Sequence, residues 1–223
     1  MTTDIVILVL LLPFFAYFLI SYVFKKLHVN NLETSLQVTN GLKLLNLKHI
    51  LGIIFFGVFP FVVLTDYQYL ILTLGVMKLK VLILFLLFFF LSAYAAMLGV
   101  NNNKLKEQGN GGYRFSDAKY YFFIRIVFLL CYEFFFRGVL LFYFLDSTSL
   151  TLSITYVTVL YVLIHAFDSK REIIGAIPFG IILCLFSVYT QSIWYPFLIH
   201  LALSAIYEIS IFYQLTLNKN SMS

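Results

Sequence analysis

The sequence predicts an all-α fold, a polytopic bundle of membrane-crossing helices. Three observations carry this: too few ionic groups for a water-facing surface, a succession of apolar runs about as long as a bilayer is thick, and a one-sided distribution of basic residues between the runs. Of the 223 residues, 62% are hydrophobic and 11% charged, whereas soluble domains are about half apolar and about a quarter charged. The mean hydropathy of +0.96 agrees. A soluble enzyme, a disordered tail and a nucleic-acid binder are therefore excluded as classes. The net charge of +5 reads instead as the lysines and arginines that orient spans. Cys131 and Cys184 lie in apolar runs, without disulfide or zinc-finger spacing.

A helix needs about 20 apolar residues to cross hydrocarbon, and only helices or closed barrels satisfy their backbone there. The runs are apolar on every face, which a barrel's alternating polarity does not match. About seven are expected, at residues 5–24, 49–74, 81–100, 121–145, 151–167, 173–189 and 193–215. The first has Asp4 where a signal peptide carries positive charge and no small-residue cleavage site behind it, so a retained span is expected. Pro60, Asp66 and Gln68 interrupt the second; Pro60, Pro178 and Pro196 predict kinks rather than ends.

Lys25, Lys26, Lys43, Lys48, Lys104, Lys106, Arg114, Lys119, Lys170, Arg171 and Lys219 fall on one side of this pattern, against Lys78 and Lys80 on the other. The positive-inside rule then sets the N-terminus outside and the C-terminus in the cytoplasm. Between spans, residues 101–112 (NNNKLKEQGNGG) form a turn-rich loop, and residues 27–48 have patchy amphipathic character suited to a membrane surface.

Charges within hydrocarbon are costly and need a reason. Arg125, Glu133, Arg137, His165, His200 and Glu208 are the polar residues so placed, all after residue 120. Glu133 and Arg137 share a helix face at i,i+4 in the favourable order, which suits a structural ion pair. His165 lies near the end of the fifth span. His200 is deep in the seventh, with Ser204 and Glu208 following at successive turns. A carboxylate and two histidines from three helices are the parts of a hydrolytic site, able to deprotonate water and to stabilise an oxyanion. The same set can bind zinc, although no HExxH helix is present. If all spans begin level, His165 lies about 21 Å deep and His200 about 11 Å. A shared site then requires tilt, a kink at Pro196 or different span ends.

EFFFRG from Glu133, YVLIH from Tyr161 to His165, and SIWYPFLIH ending at His200 resemble the successive motifs of the CPBP family. These are the CAAX-protease and bacteriocin-processing membrane proteins, also called the abortive-infection family, which includes the type II CAAX prenyl protease. The family pattern is two adjacent glutamates separated by three residues from arginine, an aromatic separated by three from histidine, and a histidine followed four residues on by asparagine or aspartate. The resemblance covers residues 113–208. It implies an intramembrane endopeptidase acting on a membrane-associated or lipidated peptide, with catalytic Glu133, His165 and His200 and a structural role for Arg137. In the family picture the water-activating groups are the first glutamate and the middle histidine, and the last histidine and asparagine form the oxyanion site. The proposed chemistry is metal-free, so no cofactor is expected, with zinc as the less favoured possibility.

Two positions depart: Tyr132 stands where the first glutamate belongs and Ser204 where the asparagine belongs. Tyrosine is a poor base at neutral pH but positions water, and serine offers a shorter hydroxyl. Glu133 is the substitute base only if the site has shifted, since adjacent helix positions point about 100° apart. A pseudoprotease that binds a peptide or protein partner, in an immunity or regulatory role, is the alternative. One integral membrane domain is expected: residues 1–112 as spans of unassigned role, 113–215 as the core with the site, and 216–223 as a short polar tail. Membrane lipids and a peptide or protein substrate are the expected partners, nucleic acid is not, and a bacterial plasma membrane is the expected location.

Overall fold

The computed structural model describes residues 3–75, 78–102 and 118–217. Most of the predicted loop at 101–112, together with Arg114 and the tail from residue 218, lies outside them. The described residues are helical without strands: α1 (Thr3–Lys26), α2 (Leu32–Ser35), α3 (Gly41–Ile53), α4 (Phe59–Val63), α5 (Tyr69–Leu72), α6 (Leu79–Asn102), α7 (Ala118–Glu133), α8 (Leu141–Leu145), α9 (Leu150–Ile164), α10 (Lys170–Thr190) and α11 (Trp194–Leu217). π-helical segments, Ile54–Val58 and Phe134–Leu140, join α3 to α4 and α7 to α8. The protein is a polytopic helical bundle.

Among the described residues six helices are long and apolar enough to cross a membrane: Val6–Lys26, Gly41–Val63, Leu79–Val100, Ala118–Leu145, Lys170–Thr190 and Trp194–Gln214. The fifth predicted span is the 15-residue helix α9. At 1.5 Å per residue it is about 22 Å long, short of a hydrocarbon core of about 30 Å. The second span also starts earlier than residue 49 and ends earlier than residue 74. Lys48 and His49 are buried inside it, and the Lys48 ammonium donates to the Asn30 carbonyl at 3.1 Å. Pro60 lacks an N–H and its ring crowds the preceding turn, which accounts for the π-helical widening just before it. The chain then leaves the helix at Leu64, and α5 is a separate short turn.

Residues 27–48 do not form a surface helix. Asn31 caps α2 through a reciprocal pair with Thr34, and Glu33 accepts a hydrogen bond from the Tyr207 hydroxyl of α11. α2 therefore docks on the bundle.

The span from α7 through α8 is the axis, buried along most of its length, while α6 is peripheral and pairs with α11. At the end of the bundle carrying Lys25, Lys26, Lys170 and Arg171, Phe167 packs against Phe18 and Tyr22 of α1 at 4.8 and 5.6 Å. At the opposite end the segment after α4 is stitched to the α10–α11 turn. Ile193 N–H donates to the Leu70 carbonyl at 3.1 Å, Trp194 Nε1–H to Ile71 at 2.9 Å, and Ser192 Oγ–H to Thr73 at 2.9 Å. Gly75, with φ +70°, closes this contact; a Cβ there would stand 2.0 Å from the Thr190 carbonyl oxygen. Tyr67 donates to Asp146 at 3.0 Å. Burial and that carboxylate push the phenol above its ordinary range, so it remains a donor at neutral pH.

Candidate active site

The site forms around the π-helical segment Phe134–Leu140. A π-turn is wider than an α-turn and disturbs the carbonyl ladder, and such segments recur at functional positions. Here the Arg137 carbonyl receives the Ser187 hydroxyl of α10 at 2.7 Å. The second π-segment packs against the first: Phe56 stacks on Phe135 at 4.6 Å and meets Phe136 and Tyr132 edge-on at 5.6 and 5.7 Å. Gly57 permits this approach, since a Cβ would lie 2.3 Å from Cys131 Sγ and 2.8 Å from its Cβ. Phe134, Phe135, Phe136 and Arg137 are consequently all buried.

Within this shell Glu133 has no solvent exposure and splits its carboxylate between two partners. Oε1 lies 2.5 Å from His200 Nδ1, and Oε2 lies 3.4 Å from Arg137 Nε. An ionised carboxylate only accepts, so His200 Nδ1 is the donor and Nε2 is the remaining edge of the ring. Arg137 is also fully buried, and among the described residues its three nitrogens have no hydrogen-bond partner. Its guanidinium instead lies over the Tyr161 ring, 3.9 Å from the centroid. Cation–π attraction, strong when desolvated, and the adjacent carboxylate hold this charge. The expected Glu133–Arg137 pair is present, and Glu133 also orients His200.

Tyr132 stands between the two histidines. Its ring is 6.1 Å from that of His200 and 6.4 Å from that of His165, both edge-on. Its hydroxyl lies 3.4 Å from His165 Nε2. His165 is the C-cap of α9 rather than part of its body. Tyr132 meets both rings, so the two histidines share one neighbourhood despite their expected difference in depth. His165 Nδ1 lies 2.8 Å from Asp168 Oδ2. Both side chains keep about a fifth of their exposure, 23% and 20%, whereas Glu133 has none.

Ser204 is held elsewhere. It accepts from Arg125 at 2.9 Å and donates to Glu208 at 3.0 Å, while Arg125 Nε–H and the Tyr121 hydroxyl donate to Glu208 at 2.9 and 2.8 Å. This network is one helical turn or more from His200. With its proton given to Glu208, Ser204 has no donor left for an oxyanion, and Glu208 is neutralised by Arg125 rather than available as a base. The residues do not fit a zinc site: Tyr132 stands between the two rings, and among the described residues no three His, Cys, Asp or Glu side chains converge.

Sequence reasoning missed Asp168. A signal was available in HAFDSKRE, where Ser169 and Glu172 form a capping motif that fixes α10 immediately after Asp168. The cation–π seat of Arg137 on Tyr161 and the paired π-segments had no such signal, because both depend on contacts between distant helices.

Fold and site together define a helical membrane protein with two carboxylate-held imidazoles on either side of a buried tyrosine. A family model described as Rce1-like, type II CAAX prenyl endopeptidase Rce1-like, matches residues 115–206. Over this segment the chain is similar to CAAX-protease-like membrane endopeptidases. No curated protein and no solved structure matches the chain.

Proposed function

We propose that this protein is an intramembrane endopeptidase that hydrolyses a peptide bond of a membrane-associated or lipidated peptide, using His165 as base and Glu133-held His200 as oxyanion donor. The observation that carries it is the placement of both imidazoles against Tyr132, each with Nδ1 committed to a carboxylate. A water beside the Tyr132–His165 contact, whose hydroxyl and Nε2 lie 3.4 Å apart, is positioned by the phenol. Its oxygen attacks the carbonyl carbon as its proton passes to His165 Nε2. The carbonyl electron pair becomes an oxyanion facing the Nε2 edge of His200, which donates to it only in the doubly protonated form, with Glu133 holding Nδ1–H. Collapse breaks the C–N bond, and the proton on His165 goes to the leaving amine. Asp168 lies at the basic end of the bundle, which the positive-inside bias assigns to the cytoplasm, so the site opens toward a cytoplasmic substrate.

The test is cleavage of a fluorogenic lipidated peptide by the full chain in vesicles. His165→Ala, His200→Ala and Glu133→Gln are each expected to lower turnover by about 100-fold or more. Undiminished turnover in all three refutes the mechanism. A second reading, a pseudoprotease that retains the peptide-binding cavity, is favoured by the loss of a carboxylate at Tyr132 and the commitment of Ser204 to Arg125 and Glu208. Peptidase activity gained by Tyr132→Glu, with none in the parent, selects that reading.

A further inference from the structure

We infer that Asp168 is the positioning residue of His165: it accepts the hydrogen bond of Nδ1–H and so fixes the tautomer whose Nε2 lone pair faces Tyr132. Its significance for catalysis rests on the reading of His165 as the base. An ionised carboxylate 2.8 Å from a ring nitrogen can only accept there, which leaves the opposite nitrogen as the acceptor. That nitrogen is the one within 3.4 Å of the Tyr132 hydroxyl. Asp168, His165 and Tyr132 form one directional chain. A carboxylate absent at position 132 is thereby present on the far side of the imidazole, where it acts through the ring instead of on water directly.

Asp168 is held in place from several directions. Its own N–H donates to the His165 carbonyl at 2.9 Å, continuing the turn that ends α9. The preceding residue, Phe167, is wedged against Phe18 and Tyr22 of α1. The following residue, Ser169, caps α10 by accepting from Glu172 N–H at 3.3 Å and donating to its carboxylate at 2.7 Å. The loop is therefore short, capped and packed, and the aspartate need not search for the imidazole. The N-terminal half thereby contributes to the site, because α1 clamps the loop that carries the positioning carboxylate. The two histidines are built alike, since Glu133 serves His200 as Asp168 serves His165. They differ in access, because Glu133 is sealed in the core and Asp168 is not.

The experiment reads the His165 tautomer by nitrogen-15 NMR of the full chain in lipid nanodiscs, with His165→Ala supplying the assignment. The Nδ1–H form is expected in the parent. Asp168→Asn preserves shape, so folding is retained, but its amide turns a donor toward the ring; it is expected to convert His165 to the Nε2–H form. In vesicles the same variant should lower kcat on the lipidated peptide by between about 10-fold and about 10,000-fold with little change in KM. Asp168→Glu, which retains the charge on a partly exposed loop, is expected to recover the Nδ1–H form and part of kcat. An unchanged Nδ1–H form in Asp168→Asn overturns the inference, as does unchanged kcat in a protein that His165→Ala inactivates. Should His165→Ala leave cleavage intact, the reading of His165 as base fails instead, and the tautomer measurement alone decides whether Asp168 positions the ring.

Discussion

The buried charge cluster at Glu133 and Arg137 gives the sharpest stability prediction. Both side chains have zero exposure and stand 3.4 Å apart. At an effective dielectric of about 20, unit charges at that distance attract by about 5 kcal/mol, most of which is offset by the desolvation of two ions. Removing one partner forfeits the attraction and leaves the other's desolvation uncompensated. Glu133→Gln abandons the Arg137 guanidinium in the core, where among the described residues its nitrogens already lack hydrogen-bond partners and the rings of Tyr161, 3.9 Å away, and Phe136, 5.9 Å away, remain to hold the charge. A destabilisation of about 3–5 kcal/mol is expected, softened by about 2 kcal/mol to the extent that the cation–π contact persists. Glu133→Gln/Arg137→Met removes both charges while keeping apolar volume over the Tyr161 ring. It should recover most of the loss, so the two substitutions are strongly non-additive. The assay is reversible unfolding of the purified chain in mixed detergent micelles, comparing the parent, both single variants and the double. A neutral Glu133→Gln, or a double variant as unstable as the sum of the singles, refutes the reasoning.

Two further outcomes follow from the paired π-segments. Gly57→Ala adds a Cβ 2.3 Å from Cys131 Sγ and 2.8 Å from its Cβ, so the two segments must separate; a loss of about 1–3 kcal/mol in the same unfolding assay is expected, and an unchanged midpoint sinks the packing argument. Ser187→Ala strips the donor from the Arg137 carbonyl, 2.7 Å away, and should cost about 1–3 kcal/mol, because a buried acceptor is left unsatisfied; a change within error shows that the π-segment satisfies that carbonyl some other way.

Much of the site was legible in the sequence because hydrocarbon tolerates few ions. Glu133, Arg137, His165 and His200 stand out for that reason, and the structure brings Glu133, Arg137 and His200 into contact and sets His165 across Tyr132. The partners of Ser204 were not legible, because helical spacing puts it one turn from His200 without revealing that Arg125, 79 positions earlier, reaches it. Asp168 was overlooked because it follows the apolar run instead of interrupting it. Span ends shifted for a similar cause: apolar length alone does not show that Lys48 finds the Asn30 carbonyl, nor that α9 stops after 15 residues.

By itself the sequence determined the solvent and the secondary structure. With 11% charged residues the chain is committed to lipid, and in lipid the backbone must satisfy itself as helices. It also singled out the few ionisable side chains placed within the spans, through the cost of burying them. Tertiary structure alone decided how those side chains divide their bonds: Glu133 between His200 and Arg137, Asp168 on His165, Ser204 with Arg125 and Glu208. A hydrogen bond is directional and short, so a few ångströms of helix length or one widened turn reassigns a donor from one partner to another. Hydrophobic burial has no such direction, which is why composition could announce the bundle but not the arrangement of protons within it.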